Sequence, residues 1–246
     1  MSKIMKGVYW FCICLLILSS CKKDNTGTVQ TSVNNGSLTI NFSYRFDSLS
    51  LQTDTVKYKN AAGYKMSVSR LQYYVSKINL VNTDGVPYSI NQAFYLDAKD
   101  SNFSSIILTG IPIGNYKDVS FIIGLDSSMN KTYYLPATVE NNNMEWPTAM
   151  GGGYHFMKLE GSFVDSTGTW GYNMHLGTTG NAVSITLLNK TFSISSTPAN
   201  IQLKMNVSEW FKNPSIYNFN TDGVYSMGNA TAMQKLKNNG WDVFYE

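Results

Sequence analysis

Leu38-Thr39-Ile40-Asn41-Phe42-Ser43-Tyr44-Arg45-Phe46 alternates without a break between apolar and polar residues. The even positions carry Leu, Ile, Phe, Tyr and Phe, and the odd ones Thr, Asn, Ser and Arg. Successive side chains of an extended chain point to opposite faces, so a period of two over this length predicts a strand with one buried face. The same signal recurs downstream. Tyr64 to Val81 is rich in β-branched and aromatic residues and closes on the turn Asn82-Thr83-Asp84-Gly85. Ser89 to Ala98 and Ser105 to Leu108 follow, and Ile111-Pro112-Ile113-Gly114-Asn115-Tyr116 turns the chain into Val119 to Leu125. Tyr154 to Val164, Gly171 to Leu176, Val183 to Leu188 and Ile201 to Val207 complete the set. Helical signals are confined to a short turn around Ser208 to Lys212 and to a segment from about Asn229 to Asn238. Asn229 or Thr231 can cap that segment and Gly240 can stop it. Short strands joined by turns, with no alternating helices, predict an all-β fold: an antiparallel β-sandwich with one or two short C-terminal helices.

Upstream of the first strand the chain changes character. Lys3 and Lys6 precede an apolar run from Val8 to Leu18, which is shorter than the ~20 residues a spanning helix needs. Leu18-Ser19-Ser20-Cys21 then places a branched apolar residue and two small ones before a cysteine, the pattern read by the lipoprotein signal peptidase. Cleavage before Cys21 and acylation of Cys21 are expected, anchoring the protein to a membrane of the cell envelope (the outer membrane, on its periplasmic or surface face). Lys22 to Gly36 holds no large apolar residue besides Val29 and Val33 and reads as a tether. The expected organisation is a signal peptide over 1–20, a polar tether over 21–36 and a single β-sandwich domain over 37–246.

Cys12, Cys14 and Cys21 are the only cysteines, and the first two leave with the signal. The mature chain therefore has no disulfide, no thiolate metal site and no thiol nucleophile. Formal net charge is +3, and loss of the two leader lysines lowers it to about +1, which argues against nucleic acid as a partner. No serine–histidine–carboxylate order, phosphate loop or paired-carboxylate signature stands out, so the protein is not expected to be an enzyme.

Met144 to Gly177 holds both histidines of the protein, His155 and His175, with two of the five tryptophans, Trp146 and Trp170, and four methionines. Imidazole is the commonest metal ligand and thioether sulfur suits Cu(I), whereas satisfied structural histidines are the plainer reading of two scattered residues. By alternation, His175 faces away from Tyr172, Met174 and Leu176, and His155 shares its side with Met157 and Leu159. If the two strands form a hairpin, a loop centred on Asp165 sets the histidines opposite one another. The four-residue loop Asp165-Ser166-Thr167-Gly168, which the Gly168 turn signal favours, puts them on opposite faces. Arg70 reads as a structural cation stacked on Tyr73 and Tyr74. Asp126 and Asn130 read as turn residues, with Ca²⁺ ligation the less simple alternative. Lys158 and Glu160 have the spacing of cross-strand ion pairs.

Gly153-Tyr154-His155-Phe156-Met157-Lys158-Leu159-Glu160-Gly161, followed by His175-Leu176-Gly177, resembles the MbnP-like family of periplasmic copper-binding proteins. The likeness extends to Ser69 to Ser76, to Phe121 to Asp126 and to Asn238 to Phe244. Members accompany methanobactin operons or occur as lipoproteins of Bacteroidota. In related copper proteins Cu(I) sits between two histidines and a tryptophan oxidised to kynurenine by a di-haem cytochrome c peroxidase-like partner. Carried over, the resemblance implies copper as Cu(I), His155 and His175 as ligands, and Trp146 as the residue that would become kynurenine, with Met157 the weaker further candidate. Related sites can place tryptophan two residues before a histidine, whereas eight residues stand between Trp146 and His155. The implied function is copper sequestration or delivery. The alternative is a non-metal module binding glycans or a protein through Tyr73, Tyr74, Tyr133, Tyr134 and Trp170.

Overall fold

The alternating stretch becomes strand β1 (Asn35–Phe46) in a computed structural model that describes residues 34–245. Leu38, Ile40, Phe42 and Phe46 are buried on one face and Tyr44 packs at its margin. The expected signal peptide, Cys21 and all of the tether before Asn34 lie outside the described residues. β1 takes in the last two residues of the expected tether, Asn35 and Gly36.

The further strands in chain order are β2 (Leu49–Ser50), β3 (Tyr58–Lys59), β4 (Lys65–Met66), β5 (Arg70–Asn82), β6 (Pro87–Asp97), β7 (Ser105–Pro112) and β8 (Gly114–Ile123). After helix α1 (Val139–Asn143) come β9 (His155–Val164), β10 (Thr169–Gly177), β11 (Val183–Leu187), β12 (Phe192–Ile194) and β13 (Ala199–Asn206). Helices α2 (Phe219–Asp222) and α3 (Ala230–Asn239) precede β14 (Phe244–Tyr245). One sheet runs β14-β13-β1-β2, with β7 also on β1. The other runs β11-β8-β5-β9-β4-β3, with β6 on β5, β10 on β9 and β12 on β8.

The sandwich-like architecture and the antiparallel pairing agree with the expectation, with one exception among the described strand pairs. β1 and β13 run parallel, Leu38 opposite Ala199 through Arg45 opposite Asn206. Parallel neighbours need a long crossover, and here most of the domain lies between the two strands in sequence. Aromatic rings tie the sheets together. Phe244 meets Phe42, Tyr73 and Phe121 at centroid distances of 5.9, 6.3 and 5.3 Å. Each such buried side chain contributes about 1.5–3 kcal/mol.

α3 has the expected limits: the Asn229 side chain accepts from the Ala232 N–H and Gly240 comes directly after the last turn. The turn at Ser208 to Lys212 is a 3-10 helix over Val207–Phe211 with Trp210 and Phe211 buried. α1 and α2 were not anticipated. Each is about one turn long, too short to show a helical period, and is set by a cap: Thr138 accepts from the Asn141 N–H and Asn218 from the Asn220 N–H. The long strand β5 holds β8 and β9 in one sheet. Its first residues, Arg70 to Tyr73, pair with β9, and its second half pairs with β8 along the same edge.

Candidate metal centre

β9 and β10 form a hairpin through Asp165-Ser166-Thr167-Gly168, since Val164 pairs with Thr169. Asp165 builds the turn by accepting from the N–H groups of Thr167 and Gly168. This four-residue loop sets His175 opposite Lys158. Strict alternation from there would leave His155 on the other face.

A β-bulge reverses that outcome. Leu176 pairs with Met157, but the next residue, Gly177, pairs with His155, so Phe156 is one residue too many on β9. An extra residue flips the parity of everything beyond it. His155 therefore shares a face with Lys158, Glu160 and His175 rather than with Met157 and Leu159. The imidazole centroids of His155 and His175 lie 5.0 Å apart with planes at 86°. Met157 is not brought to this pair. It is fully buried, cross-strand from Leu176 and Tyr73 on the core face.

The eight residues between Trp146 and His155 loop out and return. The Trp146 N–H donates to the Gly153 carbonyl at 2.9 Å and the His155 N–H to the Met144 carbonyl at 2.7 Å. Glu145 and Tyr154 form the bridge between them. Gly152 and Gly153 close the excursion at φ of 69° and 83°, where a Cβ would stand 2.3 Å from Thr132 Oγ1 and Asn130 Oδ1 respectively. The indole of Trp146 thereby comes to 4.7 Å from the His155 ring, centroid to centroid. It lies over Gly177, whose Cβ, if present, would be 2.3 Å from the indole Cε3. Indole Nε1 donates to the Met150 carbonyl at 3.2 Å. Trp146, His155 and His175 thus meet in one place.

Both imidazoles are shielded, His155 being 5% and His175 9% exposed. Nδ1 of His155 stands 3.2 Å from the Met144 carbonyl, which only an N–H can satisfy, so the lone pair is on Nε2. Burial pushes the His155 pKa down to about 3, with Lys158 and His175 acting in the same direction, and the ring is neutral. His175 is held at its backbone by the buried Ser226, whose hydroxyl accepts from its N–H and donates to its carbonyl, both at 2.6 Å. Its Nε2 lies 2.9 Å from Glu160 Oε1.

Arg70 Nη1 in turn donates to both oxygens of Glu160 at 2.9 Å. Burial alone would raise the Glu160 pKa, but the His175 hydrogen bond and Arg70 hold it below the usual carboxylate range. An ionised Glu160 accepts the Nε2 proton and leaves the lone pair of His175 on Nδ1. That nitrogen is buried and has no hydrogen-bond partner. An orphaned buried acceptor costs about 1–3 kcal/mol, a cost that a bound cation removes. Two imidazoles, each with one nitrogen held by an oxygen, are a donor set with the outer support that a metal ion needs. No group of three or more His, Cys, Asp or Glu residues is arranged to hold a metal ion among the described residues. A donor set of two nitrogens suits an ion of low coordination number and soft character better than tetrahedral zinc.

The other candidates resolve differently. Arg70 pairs with Glu160, its register partner across β5 and β9, instead of stacking on Tyr73 and Tyr74, which are buried. Lys158 donates to the Asn143 carbonyl. Asp126 binds Lys77 at 2.8 Å and accepts from the N–H groups of Ser128 and Met129, while Asn130 accepts from the Tyr154 N–H, so these oxygens brace turns. Of the aromatic residues named as anchors for a glycan or protein, Tyr133, Tyr134 and Trp170 are exposed. Ser226, the Met144 carbonyl and the contact of Glu160 with His175 were not anticipated. Each depends on tertiary pairing and leaves no local signal.

A family model described as MbnP matches residues 35–229. Among solved structures, MbnP from Methylosinus trichosporium is similar at 13% identity and a TM-score of 0.55, over 75% of this chain and 80% of that one. At this identity the likeness is one of fold. No curated protein matches the chain.

Proposed function

The chain belongs to the MbnP family, and we propose that it binds copper as Cu(I) through His155 and His175. The observation that carries this reading is the buried, unpartnered Nδ1 of His175 in a ring 5.0 Å from that of His155. When bound, Cu(I) supplies a soft, low-coordinate acceptor for the two lone pairs. The chain's own residues do the rest. Glu160 and the Met144 carbonyl fix the two tautomers, Ser226 fixes the His175 backbone, and Trp146 over Gly177 keeps water out. Trp146 is the residue a di-haem cytochrome c peroxidase-like partner would oxidise to kynurenine, beside His155.

The role is sequestration or delivery of copper rather than catalysis. It is carried out in the cell envelope, with a lipid on Cys21 holding the protein at the membrane and no part for nucleic acid. Metal analysis of the protein purified from copper-supplemented native cells tests the reading. About one copper per chain is expected, falling to background when both histidines are replaced by alanine. Equal copper in the two samples would refute it.

A further inference from the structure

His155 and His175 are nearly closed to solvent, so a metal ion needs a way in. Behind the indole of Trp146 lies a cavity of about 320 Å³ walled by Met150, Asn181 and Met233 among others. Trp146 itself forms part of its wall. No charged side chain lines it. Its two thioethers are graded in depth: Met150 is 38% exposed and Met233 7%. Asn181 Nδ2 donates to Met233 Sδ at 3.1 Å, which fixes that sulfur where Asn181 and Met233 adjoin in the wall. The loop carrying Met150 is tied to the indole itself, because the Met150 carbonyl accepts from Trp146 Nε1.

Neutral sulfur ligands with no carboxylate nearby select soft monovalent ions over hard divalent ones, and an indole face adds cation–π attraction. We propose that this cavity is a second, transient metal site. Cu(I) docks there between the sulfurs of Met150 and Met233 against the Trp146 ring, before it passes to the histidines. Only the passage onward rests on the reading of the histidine pair.

The purified full-length protein separates the two sites. Leucine is close in volume to methionine but has no sulfur, so Met150→Leu/Met233→Leu removes the donors with little repacking. Mixing with a coloured Cu(I)–chelator complex should show uptake slowed about tenfold or more, with Cu(I) affinity at equilibrium within about twofold of wild type. The companion variant His155→Ala/His175→Ala should retain one weak site for Ag(I), a redox-inert soft ion, by calorimetry. That site should vanish when the two leucines are added. Unchanged uptake in the leucine variant overturns the proposal. So does a matching loss of affinity, which would make the sulfurs ligands of the final site, and so does absence of Ag(I) binding in the histidine variant. Ag(I) binding to the histidine variant, together with Cu(I) binding to wild type no tighter than to that variant, supports the cavity site and defeats the histidine reading instead.

Discussion

His155 and His175 face one another because Phe156 is one residue more than strand alternation allows between β9 and β10. A two-ligand site built this way has no redundancy, since one nitrogen alone cannot satisfy the ion. His155→Ala and His175→Ala should therefore each lower Cu(I) affinity by about a hundredfold or more, in competition with a Cu(I) chelator. Near-wild-type affinity in either variant would remove that residue from the site.

If the histidine pair holds a metal as proposed, Glu160 acts on it through His175. Glu160→Gln keeps an oxygen within reach but removes the charge that favours an N–H at Nε2 of His175. Cu(I) affinity should drop by about 10–100-fold, the range for loss of an outer-shell partner. Arg70→Ala should have a smaller effect, because its side chain is half exposed and its pairing with Glu160 is screened. Affinities ranked the other way round would mean that Arg70, and not the carboxylate, sets the tautomer.

The buried neutral ring of His155 makes the apo protein sensitive to mild acid. Its pKa is pushed down to about 3 in the folded protein, against a reference near 6.5 when unfolded. Between those values the unfolded chain binds a proton that the folded chain refuses. Stability therefore falls as pH drops below about 6.5, by up to about 1.4 kcal/mol per pH unit from this group, and the penalty is absent above that pH. Urea unfolding of the apo protein at pH 7.5 and 5 should show the loss, and His155→Asn should show less of it. Parallel pH dependence in the two proteins would assign the loss to other groups.

Gly177 makes room for the indole. Gly177→Ala places a methyl where Trp146 now lies, 2.3 Å from Cε3. The ring must shift, at about 1–3 kcal/mol by the usual cost of overpacking, and its contact with His155 shifts with it. A lowered urea midpoint accompanied by weaker Cu(I) binding is expected. Gly114→Ala serves as a control, because Gly114 also lies in a strand without a positive φ but has open space around it.

The fold was legible because its signals are local. The parity of β1, the turn at Asn82 to Gly85 and the Asn229 cap with its Gly240 stop are all readable within a dozen residues, and all are where they were expected. The site was legible in composition but not in geometry. The turn at Gly168 gave the correct loop, and the correct loop gave the wrong faces, because a bulge at Phe156 carries no residue signature of its own. The long interval between Trp146 and His155 reads as separation along the sequence, yet backbone bonds from Trp146 to Gly153 and from His155 to Met144 fold it away. Glu160 was recognisable as an ion-pair residue from its spacing. Its second bond, to His175, runs diagonally across the β9–β10 pair and needed that register.

Among the described tryptophans, Trp146 is the one in ring contact with the histidine pair. Trp146 packs its indole on an imidazole of the pair, at 4.7 Å from His155. Trp170 and Trp241 are exposed away from it, and Trp210 is buried against Gly240. An intact indole offers a metal only an N–H donor and a π face, whereas kynurenine offers an aniline nitrogen and a carbonyl oxygen. If a di-haem partner oxidises the protein in its native host, peptide mass spectrometry should find kynurenine at Trp146 and unmodified tryptophan at the three others named. Trp146→Phe should still fold, because a smaller ring over Gly177 leaves the hairpin intact, but it should lack the ligand the oxidation supplies. Its Cu(I) affinity should be at or below that of unmodified recombinant wild type and fall short of the native-host protein. Native-host protein that carries copper with an unmodified Trp146 would show that the indole serves only to close the site.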